Sequence, residues 1–373
     1  MISISSNFDA GAIEVANAAS SADIQLNIRA DSHAEFRQWF YFRLQGARGE
    51  PCTIRLLNAG ACTYAGGWSG YSVVASYDRS TWFRVPTTYD GKIMTVTHTP
   101  ERDSVYYAYF EPYSWERHLD LLGRAENSPL ARVRRLGTTV EGRDLDCVTL
   151  GTPGADKRVV WIIARQHPGE TMAEWFVEGM LDALLERANP IARSLLARTV
   201  FHVVPNMNPD GSVRGNLRTN AAGANLNREW AEPSIERSPE VALVRDAIHA
   251  APPAVFLDVH GDEVLPYVFV AGNEMLPDFT PTQIAAQRLF CESFRRANPD
   301  FQTEHGYGVG KYSAEALKLA SKYVGHTFRE LSLTLELPFK DNANLPDPAL
   351  GWDGARSARL GAAVLQPILA MLP

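Results

Sequence analysis

The chain has 373 residues and a formal net charge of −7, from 36 Lys and Arg against 43 Asp and Glu. With 45% hydrophobic and 21% charged residues, 8 Trp, 13 Tyr and 16 Phe, it is neither disordered nor fibrous. The acidic balance argues against a protein that grips nucleic acid by neutralising phosphates, and the length suits two domains, each with its own core.

In chain order, residues 1–125 predict a β-rich domain. Short β-branched and aromatic segments at 24–28, 38–44, 52–57, 73–77, 82–85, 93–98 and 106–110 alternate with Gly, Asn, Asp and Pro turns. This spacing predicts an antiparallel β-sandwich. A short helix follows at 115–122, then a connection at 123–140. Residues 126–373 predict an α/β domain with a mixed, mostly parallel central sheet flanked by helices. Its strands are expected at 159–164, 200–204, 255–259, 267–270 and 331–337, its helices at 170–187, 239–249, 283–297 and 355–371. The run VVWIIA at 159–164 is continuously apolar, as a strand covered on both faces should be.

The four cysteines (Cys52, Cys62, Cys147 and Cys291) form no CxxC pair and read as reduced thiols. The N-terminus, MISISSNFDAGAIEVANA, has neither a basic stretch nor a long apolar one, and no apolar run approaches the ~20 residues of a membrane span. A cytoplasmic protein with no membrane segment is the expectation.

Four stretches carry chemistry. In Arg165-Gln166-His167-Pro168-Gly169-Glu170, His167 and Glu170 lie three apart at a strand-to-helix junction, the place where open α/β sheets bind ligands. Alone this fits a Pro-Gly turn with a carboxylate near a helix N-terminus equally well. Asp258-Val259-His260-Gly261 puts an imidazole at the carboxyl end of another strand. Together His167, Glu170 and His260 form an open two-histidine, one-glutamate set suited to catalytic zinc. The stretch from Asn206 through Arg218 to Asn227-Arg228-Glu229-Trp230 is crowded with Asn, Gly and Arg; guanidiniums there can dock a carboxylate or polarise a carbonyl, and Asn227 can add a neutral donor. Glu336, ending the apolar strand LSLTLELPF, is a carboxylate in apolar surroundings, which a general base acting on a metal-activated water requires.

The ordered set HPGE, NPDG, GNLR, NLNREW, DVHGD and LTLELPF resembles the zinc metallocarboxypeptidases, specifically the cytosolic carboxypeptidase subfamily in its bacterial form. FYFRL and YYAYFEPYSWERHLDLL resemble that subfamily's N-terminal β-sandwich, so the likeness covers nearly the whole chain. The resemblance implies hydrolysis of C-terminal amino acids from peptides or proteins, with acidic residues such as Glu and Asp preferred. It implies one Zn2+ per chain on His167, Glu170 and His260, with Glu336 as general base. Arg218 would polarise the scissile carbonyl, and Asn227 with Arg228 would hold the substrate carboxylate. Neither nucleic acid nor membrane is expected as a partner, and a homo-oligomer is left open. Where many relatives carry Asp, this chain has Asn225 as the expected neighbour of a metal-binding His. Tyr312 and Tyr323 are candidates for a substrate-clamping tyrosine, and Arg165, Arg214, Arg329 and Lys340 for the basic group of the specificity pocket. The rival reading is an aspartoacylase- or succinylglutamate desuccinylase-like zinc amidase, which shares an HxxE-then-His site and acts on small N-acyl amino acids.

Overall fold

The computed structural model describes residues 2–372. The first half of the β-rich region contributes β1 (Ser3–Ser5), β2 (Glu14–Asn17), β3 (Ile24–Asn27), β4 (Tyr41–Gln45) and β5 (Cys52–Leu56). The second half contributes β6 (Val74–Ser76), β7 (Trp82–Arg84), β8 (Thr87–Tyr89), β9 (Met94–His98) and β10 (Ser104–Ala108). They form two five-stranded sheets, ordered β1-β4-β10-β6-β7 and β2-β3-β5-β9-β8. Every pairing is antiparallel except β3 with β5, which run parallel. The sheets share a core in which His98 Nδ1 meets the Tyr107 hydroxyl at 2.8 Å and the Phe42 and Tyr107 rings stack. β1, β2 and β8 escape the sequence reading because they are short edge strands with little apolar content.

α1 (Trp115–Glu126) starts on an N-cap, where the Ser114 side chain accepts from Arg117 N. It leads to β11 (Ala131–Thr138), β12 (Asp144–Leu150) and β13 (Arg158–Ala164). The expected connection at 123–140 therefore holds the last turn of α1 and all of β11, an edge strand whose arginines face solvent, so it lacks an apolar signature. α2 (Met172–Leu185), α3 (Pro190–Arg198), β14 (Thr199–Val204) and α4 (Pro209–Arg214) follow. Asn-Pro-Asp-Gly, which has turn chemistry, is here a helix start: Asn208 accepts from Gly211 N, Pro209 opens the helix, and Gly215 ends it in the left-handed region (φ 68).

The remaining elements are α5 (Pro239–Ala250), β15 (Val255–Asp262), β16 (Phe269–Ala271), α6 (Pro281–Ala297), α7 (Ala320–Phe328), β17 (Leu331–Pro338), α8 (Gly354–Ala363) and α9 (Leu365–Ala370). The seven-stranded sheet runs β11-β12-β14-β13-β15-β17-β16, with four parallel strands at its centre and antiparallel strands on either side. The sheet interior is buried from end to end: all eight residues of β15 and of β17 are buried, polar ones such as Asp258, His260 and Glu336 included. The two parts of the chain share one continuous hydrophobic core. Arg84 stitches them, donating to Phe339 O and Trp352 O at 3.3 and 2.9 Å, beside the Tyr109 and Phe339 rings stacked at 4.4 Å. The four cysteines are unbridged, and no helix among the described residues is long and apolar enough to cross a membrane.

Candidate active site

The carboxyl ends of β13, β15 and β17 line up in the sheet, and the register makes His260 the direct neighbour of Glu336. After β13 the chain turns at Arg165, which adopts left-handed backbone (φ 58). Its guanidinium is buried, donating to Glu174 Oε2 (2.7 Å), Tyr113 O (3.0 Å) and Pro168 O (2.9 Å). Arg165 thus fixes the His167–Glu170 turn from below and does not reach the site cavity.

His167, Glu170 and His260 come together. Their donor atoms lie within 4.8 Å of one another. His167 Nδ1 is 2.7 Å from Glu170 Oε1, His260 Nδ1 is 2.8 Å from Glu170 Oε2, and the two Nδ1 atoms are 3.1 Å apart. Their other nitrogens have acceptors behind them. Trp230 Nε1, only a donor, gives to Gln166 Oε1 at 2.8 Å, so Gln166 Nε2 gives to Asp258 Oδ2 at 2.8 Å. That same oxygen accepts His260 Nε2–H at 2.9 Å. His167 Nε2 faces Asn225 Oδ1 at 3.1 Å. With a cation at the centre, both rings would carry their proton on Nε2 and turn their Nδ1 lone pairs toward it. The electrostatics agree. Burial and the Arg218 guanidinium push His167 down to about 3, keeping it neutral. Burial opposes a further proton on His260, yet the Asp258 and Glu170 carboxylates outweigh it and raise that pKa well above the usual range. Positive charge is wanted here, and the N/N/O donor chemistry fits zinc.

Glu336 is buried, and its Oε2 has no hydrogen-bond partner among the described residues. Burial pushes its carboxyl up to about 8, the Glu170, Asp262 and Asp258 carboxylates adding to the rise and His260 opposing it. It faces a cavity of about 700 Å³ that also admits His167, Glu170, His260, Arg218, Asn227 and Arg228, so all seven residues picked from the sequence meet in one space. Asn227 Oδ1 accepts from Ala320 N at 2.9 Å, which points its Nδ2 toward the site. Arg228 is braced by its donation to Asn227 O at 2.6 Å.

The cavity corrects the finer expectations. Arg214 pairs with Glu141, Arg329 with Asp278, and Lys340 donates to Ser69 O, so none of these lines it. Besides Arg218 and Arg228, the basic side chain that lines it is Lys322 on α7, buried beside Ser321 and Thr334 and pushed by burial down to about 8. Tyr312 lies outside the cavity and Tyr323 bonds His249, whereas Tyr307, itself exposed, lines the cavity with its hydroxyl donating to Asp262. Sequence reasoning also missed Tyr64, which the N-terminal sheets contribute to the cavity wall, and the Gln166–Asp258 relay behind His260.

The profile of the family described as zinc carboxypeptidase matches residues 116–347, and that of the cytosolic carboxypeptidase N-terminal domain matches residues 4–110. The chain belongs to the zinc carboxypeptidase family and is a peptidase of that family, whose metal is zinc. The paired profiles place it within that family beside the cytosolic carboxypeptidases. A metallo-carboxypeptidase from Burkholderia cenocepacia is 62% identical with a TM-score of 0.98, the match spanning 100% of this chain and 99% of that one. A metallo-carboxypeptidase from Pseudomonas aeruginosa, solved with (2-guanidinoethylmercapto)succinic acid, is 44% identical with a TM-score of 0.95 over 98% of both chains. Human cytosolic carboxypeptidase 6 is 29% identical over 89% of this chain and 71% of its own length. The chain spans only 54% of mouse cytosolic carboxypeptidase 6 and 28% of mouse cytosolic carboxypeptidase 4.

Proposed function

We propose that this protein removes single amino acids from peptide C-termini, with one zinc ion per chain held by His167, Glu170 and His260. The observation that carries the reading is the convergence of two imidazole Nδ1 atoms and a carboxylate on one point, beside a buried Glu336 oxygen that has no partner among the described residues. When bound, zinc supplies Lewis acidity toward water and carbonyl oxygen. The other tasks fall to the chain. Glu336 takes a proton from the attacking water and delivers it to the leaving amine nitrogen as the peptide C–N bond breaks. Arg218 donates to the carbonyl oxygen as it becomes an oxyanion. Arg228 and the Nδ2 of Asn227, which lies 3.3 Å from His260 Nε2, hold the terminal carboxylate, which restricts cleavage to the last residue. Tyr307 stands at the cavity wall as the group to cover the substrate. Lys322 supplies the positive charge for an acidic terminal side chain, supporting a preference for Glu or Asp. Four unbridged cysteines suit a reducing, cytoplasmic setting.

The test is a zinc-loaded digest of a peptide library varied at the C-terminal residue, read by mass spectrometry beside Glu336→Gln and beside N-acetyl-aspartate as the amidase substrate. Single-residue release, strongest for C-terminal Glu and Asp and abolished in Glu336→Gln, is expected. Release from no peptide, an equally active variant, or faster turnover of N-acetyl-aspartate would overturn the reading.

A further inference from the structure

Arg218 lies on a loop whose backbone is held by the β-rich N-terminal part of the chain. Asp31 directs both carboxylate oxygens at three consecutive amides: Oδ1 accepts from Leu217 N (2.6 Å), and Oδ2 accepts from Arg218 N (2.7 Å) and Thr219 N (2.9 Å). Oδ2 also accepts from Thr219 Oγ1 at 3.1 Å. The opposite side of the same loop is tied to the metal-binding turn, where Gly169 N donates to Leu217 O at 2.9 Å. The Arg218 peptide is thus clamped between Asp31 and the segment that presents His167 and Glu170. A carboxylate receiving charge-assisted bonds from three successive amides fixes the orientation of three peptide planes at once.

The side chain is steered from the same quarter. The Arg218 guanidinium lies 5.3 Å from the Tyr64 ring centroid and 6.0 Å from that of Phe36, and it makes no hydrogen bond to protein among the described residues. Phe36 belongs to the Asp31 turn itself, since Asp31 N donates to Phe36 O at 2.8 Å. The guanidinium keeps its donors free for a substrate oxygen while its direction is set by one carboxylate and two rings, all from residues 31–64.

We infer that Asp31 is a positioning residue for the carbonyl-polarising Arg218, so that the N-terminal sheets are part of the reaction geometry as well as a neighbouring fold. This rests on the role proposed above for Arg218. Oxyanion stabilisation depends steeply on donor placement, a displacement of ~1 Å costing on the order of 100-fold in rate.

The experiment is a double-mutant cycle on the full-length, zinc-loaded chain, measuring kcat and KM on a peptide ending in Glu for wild type, Asp31→Asn, Arg218→Ala and the double variant. Asp31→Asn keeps the shape but turns an amide NH2 toward backbone donors. It is expected to lower kcat about 10–100-fold with KM within about threefold, at unchanged zinc content, and to cost nothing further once Arg218 is Ala. Equal losses in both backgrounds, or an unchanged kcat, would overturn the inference and leave the function standing. A wild-type kcat in Arg218→Ala would instead overturn the role of Arg218 and this inference with it. Should Asp31→Asn fail to fold, Thr219→Val removes only the hydroxyl bond; a roughly twofold to fivefold drop in kcat is expected, confined to the Arg218 background, and a drop seen equally in Arg218→Ala would refute positioning.

Discussion

Asp258→Asn isolates the charge behind one metal-binding histidine. Asp258 Oδ2 accepts both Gln166 Nε2 and His260 Nε2, while Oδ1 has no partner. Asparagine can put its oxygen where Oδ2 stands and its amide on the orphan side, so the geometry survives and the charge does not. A hydrogen bond to a charged group contributes about 1.5–3 kcal/mol against about 1 for a neutral pair, and the carboxylate raises the basicity of the ligating ring. The loss should be about 1.4–2.7 kcal/mol of zinc affinity, a 10- to 100-fold rise in Kd. Chelator competition on the purified protein measures it directly, and calorimetry of the metal-free form checks that the fold is intact. A zinc Kd within about threefold of wild type, with metal-free stability unchanged, would refute the claim that the buried relay tunes His260.

Other outcomes follow from single contacts. In Gly261→Ala the new Cβ would sit 2.6 Å from Met172 Sδ and 3.3 Å from Glu170 Cγ. Overpacking of about 1–3 kcal/mol is expected in thermal unfolding, along with weaker zinc binding as Glu170 is displaced. Glu240 is buried, with Oε1 unpartnered, and burial raises its carboxyl from 4.5 to about 7. Its raised pKa means the folded state is favoured while the group is protonated. That contribution is full below pH 4.5, falls between pH 4.5 and 7, and is gone above, about 3 kcal/mol in all. Glu240→Gln should therefore gain on wild type in Tm as pH rises from 5 to 8; a constant gap would refute the sign. Lys322→Met should lower kcat/KM for C-terminal Glu by about 10-fold or more relative to Leu, since the cavity loses a buried positive charge complementary to that side chain. Removing zinc should lower Tm, with restoration that depends on zinc concentration.

The fold was legible wherever burial was two-sided. β13, β15 and β17 announce themselves because parallel strands covered on both faces are mostly apolar. β11 and β2 do not, because an edge strand needs no apolar alternation, and its register comes from partners distant in the chain. The predicted helix at 355–371 is instead α8 and α9, interrupted at Val364, although the apolar spacing continues across both. α2 and α8 then approach closely for a reason composition alone does not reveal. A Cβ on Gly179 would lie 2.0 Å from Ala358 O and one on Gly361 1.8 Å from Phe176 O, so the helix backbones touch where both lack side chains.

The site divides in the same way. His167, Glu170, His260 and Glu336 could be picked out because few residue types can bind a cation or move a proton, and strand ends are where such types are brought together. Nothing in ALKLASKYVG separates Lys322 from a solvated helix lysine. Its burial arises from tertiary packing, in which α7 leans on β17 with Ser321 Oγ 2.7 Å from Thr334 Oγ1 and turns the next side chain inward. Tyr307 emerges from a glycine-rich loop placed by tertiary contacts, its hydroxyl on Asp262 and its ring against Phe269. Chemistry that constrains residue type leaves its mark in a sequence, whereas chemistry that depends on which face of a helix is covered must wait for the fold. The side chains that line the cavity beyond the metal set are of the second kind, and the basic residues nominated from the sequence for the pocket are engaged elsewhere.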